Sequence, residues 1–190
     1  MSNILLNSRR NNLDNKGVLE QNKKFWDNTA EKWFGSTALP ELGVKVPSEE
    51  DLHLFGDVSG KRVLEIGCGS GHSLKYLGDH NASELWGLDM SSQQIENASR
   101  YLKDCGYEAH LFNSPMEVNP GLPIGYFDIV YSIYAIGWTT DLQKTFNLIA
   151  SYLKKDGTFI FSWDHPVTRC MDIEEGNLVV KNSYYDENLF

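Results

Sequence analysis

Ten residues, Arg62-Val63-Leu64-Glu65-Ile66-Gly67-Cys68-Gly69-Ser70-Gly71, restrict the possible folds of this chain more than any others. Val63 to Ile66 is a short apolar run of the kind buried in a sheet. It passes into three glycines at alternate positions and then into a periodic stretch from His72 to Leu77. The reading is a strand, a tight glycine turn and the start of a helix. Glycine lets the backbone approach a ligand closely, and the unpaired N–H groups of a helix's first turn favour an anionic group. Such a turn is suited to hold a cofactor.

The spacing distinguishes between cofactors. A dinucleotide fingerprint has G-x-G-x-x-G, with a pyrophosphate at the helix N-terminus, whereas this chain has Glu65-x-Gly67-x-Gly69-x-Gly71. A carboxylate at the end of a buried strand suits a positively charged group and repels a pyrophosphate. Glu65-Ile66-Gly67-Cys68-Gly69-Ser70-Gly71 resembles motif I of the class I S-adenosylmethionine-dependent methyltransferases, whose cofactor carries an ammonium and a sulfonium.

The rest of the chain alternates strand and helix patterns. Glu84 to Asp89 reads as a second strand ending in a carboxylate, placed to accept hydrogen bonds from ribose hydroxyls. Ser91-x-x-Gln94 forms a capping box before Ile95, Ala98 and Leu102, and Gly106 stops that helix. Glu108 to Phe112 reads as the third strand, Phe127 to Ser132 as the fourth and Thr158 to Trp163 as the fifth. Between the last two, Leu142, Phe146, Ile149 and Leu153 fall on one helix face. This order predicts an α/β fold, a doubly wound and mostly parallel sheet with ligands at the carboxyl ends of its strands.

The division expected is a flexible N-terminal arm over residues 1–17, a helical lid over 18–58, the cofactor-binding core over 59–166 and a C-terminal segment over 167–190. The lid helix runs from Leu19 to about Phe34, and its Phe25-Trp26-Asp27-x-x-Ala30-x-x-Trp33 resembles the aromatic lid of small-molecule methyltransferases. Ser48-Glu49-Glu50-Asp51 opens a short helix, with acids where the macrodipole favours them.

The resemblance covers about residues 25–166 and implies roles for particular residues. Gly67, Gly69 and Gly71, with Cys68 between them, would cradle the methionine portion of S-adenosylmethionine and of its product S-adenosylhomocysteine. Glu65 would meet the ammonium, Asp89 the ribose, and Met90 would pack on adenine. Ser114, Pro115 and Met116 occupy the family's adenine turn, but Ser114 or Pro115 stands where the family has an aspartate. The adenine contact is therefore left to backbone groups or Glu117. Ser132 and Trp33 complete the cofactor set.

The same resemblance implies methyl transfer to an oxygen, nitrogen or carbon of a small molecule. His165 and Tyr134 are the candidate catalytic residues, with Asp164 beside them, and His165 is also placed to cap a turn before Pro166. His53, His72, His80 and His110 read as surface or local packing, and no metal site is expected. A nicotinamide-dependent oxidoreductase is the alternative, favoured by Asp89 and opposed by Glu65 and the glycine spacing. A non-catalytic cofactor-binding module is a third reading.

A net charge of −9 argues against nucleic acid as the acceptor. There is no Asp/Asn-Pro-Pro-Tyr/Phe after the fourth strand, which argues against amino-methylation of DNA bases. Three cysteines without paired spacing suggest neither disulfides nor zinc. With no run of membrane-spanning length and no signal pattern, the expectation is a cytoplasmic protein without a membrane partner. The family completes its sheet with an antiparallel hairpin. Here 178–180 and 183–185 are expected to supply at most one extended segment, so the hairpin is expected to be missing and the chain truncated.

Overall fold

The computed structural model describes residues 15–185. Helix α1 (Asn15–Thr29) and the short α2 (Glu49–Leu52) precede a repeating core. That core runs β1 (Arg62–Ile66), α3 (His72–Asp79), β2 (Glu84–Asp89), α4 (Ser92–Asp104), β3 (Ala109–Asn113), β4 (Phe127–Ile133), α5 (Leu142–Tyr152) and β5 (Leu153–Ser162). The five strands form one sheet in the order β3-β2-β1-β4-β5, and every neighbouring pair is parallel. The expected doubly wound α/β sheet is present.

Alternation along β1 divides the core into two. Val63 faces one side and packs with Leu74 and Leu77 of α3, Leu102 of α4 and Tyr131 of β4. Leu64 and Ile66 face the other, with Leu88, Phe127, Val130 and Ile149 and Tyr152 of α5. Burial of both faces explains why β1 and β4 read as nearly continuous apolar runs rather than as alternating ones. The order of the strands reverses at β1 and β4, so the crevice at their carboxyl ends is where a ligand is accommodated.

Two expectations are corrected at the ends of the chain. Helix α1 begins at Asn15, not Leu19, and gives way to turns after Thr29, so Trp33 and Phe34 lie on a turn. The remainder of the proposed arm, residues 1–14, lies outside the described residues. At the other end there are two extended segments, not one: β6 (Met171–Glu174) and β7 (Asn177–Val180) pair antiparallel as a separate sheet. Glu175 and Gly176 both have positive φ, 49° and 82°, as a two-residue type I′ hairpin turn requires. The hairpin does not join the five-stranded sheet. Among the described residues β5 therefore remains an edge, with Phe161 52% exposed.

Candidate functional site

The turn after β1 lies against the end of β2. The N–H groups of Gly67 and Cys68 both donate to the carbonyl of Leu88, at 2.7 and 3.0 Å. Gly67 has φ +74°, and a Cβ there would lie 2.2 Å from that of Ala135 on the loop after β4. Gly69, φ +49°, faces open space, whereas a Cβ on Gly71 would press on Leu102 and Ala98 of α4. The glycines thus have separate tasks: Gly67 lets two loops meet, Gly69 leaves room for a ligand, and Gly71 seats α3 on α4. Gly67→Ala is expected to lower stability by about 2–4 kcal/mol through left-handed backbone strain and overpacking, read as a lower urea midpoint.

Asp89 fixes the turn's other side. Its Oδ2 accepts from the Gly69 N–H at 2.9 Å and its Oδ1 from the Ser91 N–H at 2.8 Å. Ser91 caps α4 by accepting from the Gln94 N–H, and donates to Asp27 of α1 at 2.7 Å. Asp27 also accepts from the Gln93 N–H and from Lys23. Lys23, Ser91 and the Gln93 N–H hold Asp27 below the usual carboxylate range despite the opposing effect of burial. Through Asp27, α1 is tied to the N-terminus of α4 and spans the crevice as a roof. Trp26 meets Trp33 edge-on at 6.1 Å and Trp138 at 5.2 Å, while Phe25 stacks on Trp138.

Beneath the roof is a cleft. Its floor holds Glu65, only 2% exposed. The Tyr131 hydroxyl donates to Glu65 at 3.2 Å. Burial pushes the Glu65 carboxyl well above the usual range, against the hydrogen bonds from Ser73 and Tyr131, and the nearby Asp89 adds to the rise. Burial likewise raises Asp89 to about 6. Burial and both carboxylates push the Cys68 thiol up, which fits a packing role rather than a nucleophilic one. Among the described residues the lining contains no Lys or Arg. The site is a concave, carboxylate-floored and aromatic-roofed space suited to a ligand with positive charge and hydrogen-bond donors.

Of the residues expected from sequence, Trp33, Glu65, Gly67, Cys68, Gly69, Asp89, Met90, Met116 and Tyr134 line this cleft. Gly71, Ser114, Pro115, Ser132 and His165 do not. The Ser132 hydroxyl is spent on the Ile66 carbonyl, and that of Ser114 on the Pro115 carbonyl. His165 is exposed and its Nδ1 accepts from the Val167 N–H, the capping arrangement. Tyr134 sits at φ +54°, its hydroxyl donating to Asp164 at 2.9 Å, with the backbone of Gly43 close against its ring.

Sequence reasoning missed His72, which lines the cleft rather than the surface. Its ring stacks on Tyr101, meets Phe34 edge-on and bonds Ser70, and burial lowers its pKa. The position right after the glycines was the available signal. Ser36, Thr37, Gln94 and Ala135 also line the cleft, brought there by chain segments whose approach no local pattern shows. No group of three potential metal ligands occurs among the described residues. Nor is any described helix long and apolar enough to cross a membrane.

Comparison with known proteins agrees with this geometry. A family model described as a methyltransferase domain matches residues 64–161, more than half of the chain. The uncharacterized methyltransferase YcgJ of Bacillus subtilis is 31% identical over 99 residues, covering 52% of this chain and 39% of that protein. The 18S rRNA (guanine(1575)-N(7))-methyltransferase of Saccharomyces cerevisiae is 32% identical over 150 residues, covering 70% of this chain and 51% of its own. Among solved structures, an S-adenosylmethionine-dependent methyltransferase from Mesorhizobium loti shares the fold, with TM-score 0.62 and 24% identity over 80% of this chain and 66% of that one. The chain spans about half the length of the curated relatives it matches, or less.

Proposed function

The chain belongs to the methyltransferase domain family of class I S-adenosylmethionine-dependent methyltransferases, and on that premise we propose that it transfers a methyl group to a small-molecule acceptor. The observation that carries the reading is Glu65: a carboxylate buried in the cleft floor, hydrogen-bonded to hydroxyls and faced by no cationic side chain of the lining. A buried charge needs a partner, and the cofactor's ammonium supplies one. A nicotinamide dinucleotide offers a pyrophosphate instead, which Glu65 would repel.

The remaining groups fit S-adenosylmethionine. Two buried acceptor atoms, Gln94 Oε1 and Glu117 Oε2, lack a hydrogen-bond partner, and both residues line the cleft. Asp89 is placed to take the ribose hydroxyls, Gly69 leaves space beside the methionine portion, and Met90 and Met116 give adenine soft apolar contact. The cofactor supplies a methyl already activated on a sulfonium. What remains for the protein is alignment, which in well-oriented cases contributes on the order of 7–11 kcal/mol.

On the acceptor side we assign the orienting role to Tyr134. Asp164, its hydrogen-bond acceptor, raises the phenol's pKa, so the hydroxyl stays neutral and holds rather than removes a proton. The αL backbone and the close approach of Gly43 keep the ring in place. The aromatic roof and the net negative charge of the chain support a small acceptor over a polynucleotide.

The test is transfer of labelled methyl from S-adenosylmethionine to separate panels of hydroxyl, amine and carbon acceptors, with ribosomal RNA as a further arm. Tyr134→Phe is expected to lower turnover of an accepted small molecule about 10–100-fold with cofactor affinity unchanged. His165→Ala is expected to change neither cofactor affinity nor stability appreciably. Labelling of RNA alone would overturn the small-molecule reading.

A further inference from the structure

With the cofactor placed on Glu65, Gly69, Asp89 and the two methionines, other parts of the cleft lining are left for the acceptor. Two hydroxyls there are of one kind. Thr37, on the segment after α1, donates its hydroxyl hydrogen to the Ser36 carbonyl at 2.8 Å, and Tyr134, on the loop after β4, donates its own to Asp164 at 2.9 Å. A hydroxyl has a single hydrogen, so toward a ligand both oxygens offer lone pairs only. Both residues also sit in the left-handed backbone region, at φ +51° and +54°. Strain of that kind persists where the surroundings enforce it, and it gathers at ligand sites.

The charge of the lining points the same way. Among the described residues no Lys or Arg lines the cleft, and burial lowers the pKa of His72, which leaves its imidazole neutral at neutral pH. A carboxylate, phosphate or phenolate would find no counter-charge there. A cation would. Trp26, Trp33 and Trp138 all line the space, with Trp26 inclined at 62° to Trp33 and 83° to Trp138. Rings at such angles form a corner, and the faces of tryptophan attract cations more than those of other side chains. Lys32, outside the lining, already lies 5.8 Å from the centroid of Trp33. The cofactor brings an ammonium and a sulfonium but also a carboxylate, so beside Glu65 and Asp89 it leaves negative charge to be balanced.

We propose that the methyl acceptor is an organic amine that enters the cleft as its ammonium: its N–H groups donate to the Thr37 and Tyr134 hydroxyl oxygens, and its charge lies against the tryptophan faces. The inference rests on the methyltransferase reading above and narrows its acceptor to nitrogen. The ammonium first gives one proton to water. The lone pair of the neutral nitrogen then forms the bond to the methyl carbon, the electron pair of the broken S–C bond stays on sulfur in S-adenosylhomocysteine, and the product is the methylated ammonium. Tyr134 takes no proton in this sequence.

The experiment is calorimetric titration of benzylamine, benzyl alcohol and benzoate at neutral pH into the whole chain saturated with S-adenosylhomocysteine. The three probes share one ring and differ in charge. Benzylamine is expected to bind about tenfold more tightly than benzyl alcohol, and benzoate more weakly than either. Thr37→Val keeps the branched shape and removes the lone pairs. It is expected to lower benzylamine affinity about tenfold with S-adenosylhomocysteine affinity unchanged, a combination that a misfolded variant could not show. Benzyl alcohol or benzoate binding as tightly as benzylamine would overturn the assignment, as would a loaded chain that takes up none of the three. Failure of S-adenosylhomocysteine itself to bind would overturn the cofactor reading, so the two failures are distinguishable.

Discussion

Replacing Glu65 by glutamine is expected to weaken S-adenosylmethionine binding by about two to four orders of magnitude while leaving the fold at least as stable. The two effects have one cause. In the ligand-free chain Glu65 is buried without a cationic side chain, and burial raises its pKa well above the unfolded value. A carboxyl with a raised folded pKa contributes stability that is complete below its unfolded pKa of about 4.3 and is lost as pH rises through the folded value. At neutral pH the acidic side chain is therefore a net cost to the fold, which glutamine removes while still accepting hydrogen bonds from Tyr131 and Ser73. In the complex the same change leaves a buried ammonium without its counter-charge, a loss of about 3–5 kcal/mol. Calorimetry and a thermal melt on one preparation would show opposite signs. Unchanged affinity would remove Glu65 from the site.

Asp89→Ala is expected to act in the same direction on both quantities. Two ribose hydroxyls lose a charged acceptor at about 1.5–3 kcal/mol each, so affinity falls about two to four orders of magnitude. The Gly69 and Ser91 N–H groups lose their acceptor too, and the glycine turn loosens. A urea melt should show a lower midpoint. Because burial raises Asp89 to about 6, wild-type affinity for S-adenosylmethionine should weaken as pH falls through that value, where the carboxylate takes up a proton. His72, also in the cleft and lowered from its ordinary pKa by burial, charges in the same acidic direction and adds repulsion. Asp89→Asn separates them: a residual pH dependence in that variant belongs to His72 or Glu65.

The parts of the fold legible in the sequence were those whose side chains are sorted by burial. Strand β2 runs from Glu84 to Asp89 as expected, and the Ser91 cap with its Gln94 N–H partner opens α4 where the box predicts. Phe146 and Ile149 do mark the inner face of α5, whereas Leu142, expected with them, is 51% exposed. The hairpin of β6 and β7 was missed for the converse reason. Ile173, Leu178 and Val180 are each 70% exposed or more, so no apolar alternation distinguishes an inner face. Only Glu175-Gly176 gave a turn signal. Strand β5 was expected from Thr158, but it begins at Leu153 with a register shift opposite Phe127 and Ile129, a distortion that polar Lys154, Lys155 and Asp156 conceal.

The candidate site divides similarly. Glu65 and Asp89 were legible because each ends a strand on the crevice edge. Ser114 and Pro115 were placed by analogy with a turn whose aspartate this chain lacks, and neither lines the cleft. His72 has no metal-like partner in the sequence, yet its position in the first turn of α3 already puts it beside the glycines. The aromatic roof was partly visible in the spacing of Trp26 and Trp33. That Trp138 would meet them depends on Asp27 seating α1 on α4, a contact across 64 residues.

Calorimetric titration of the whole chain with S-adenosylmethionine, S-adenosylhomocysteine and NADH at neutral pH tests the cofactor assignment most directly. Micromolar binding of the first two with none of the third is the expected result. Binding of NADH alone would contradict it and would make Glu65 and the glycine turn parts of a different site.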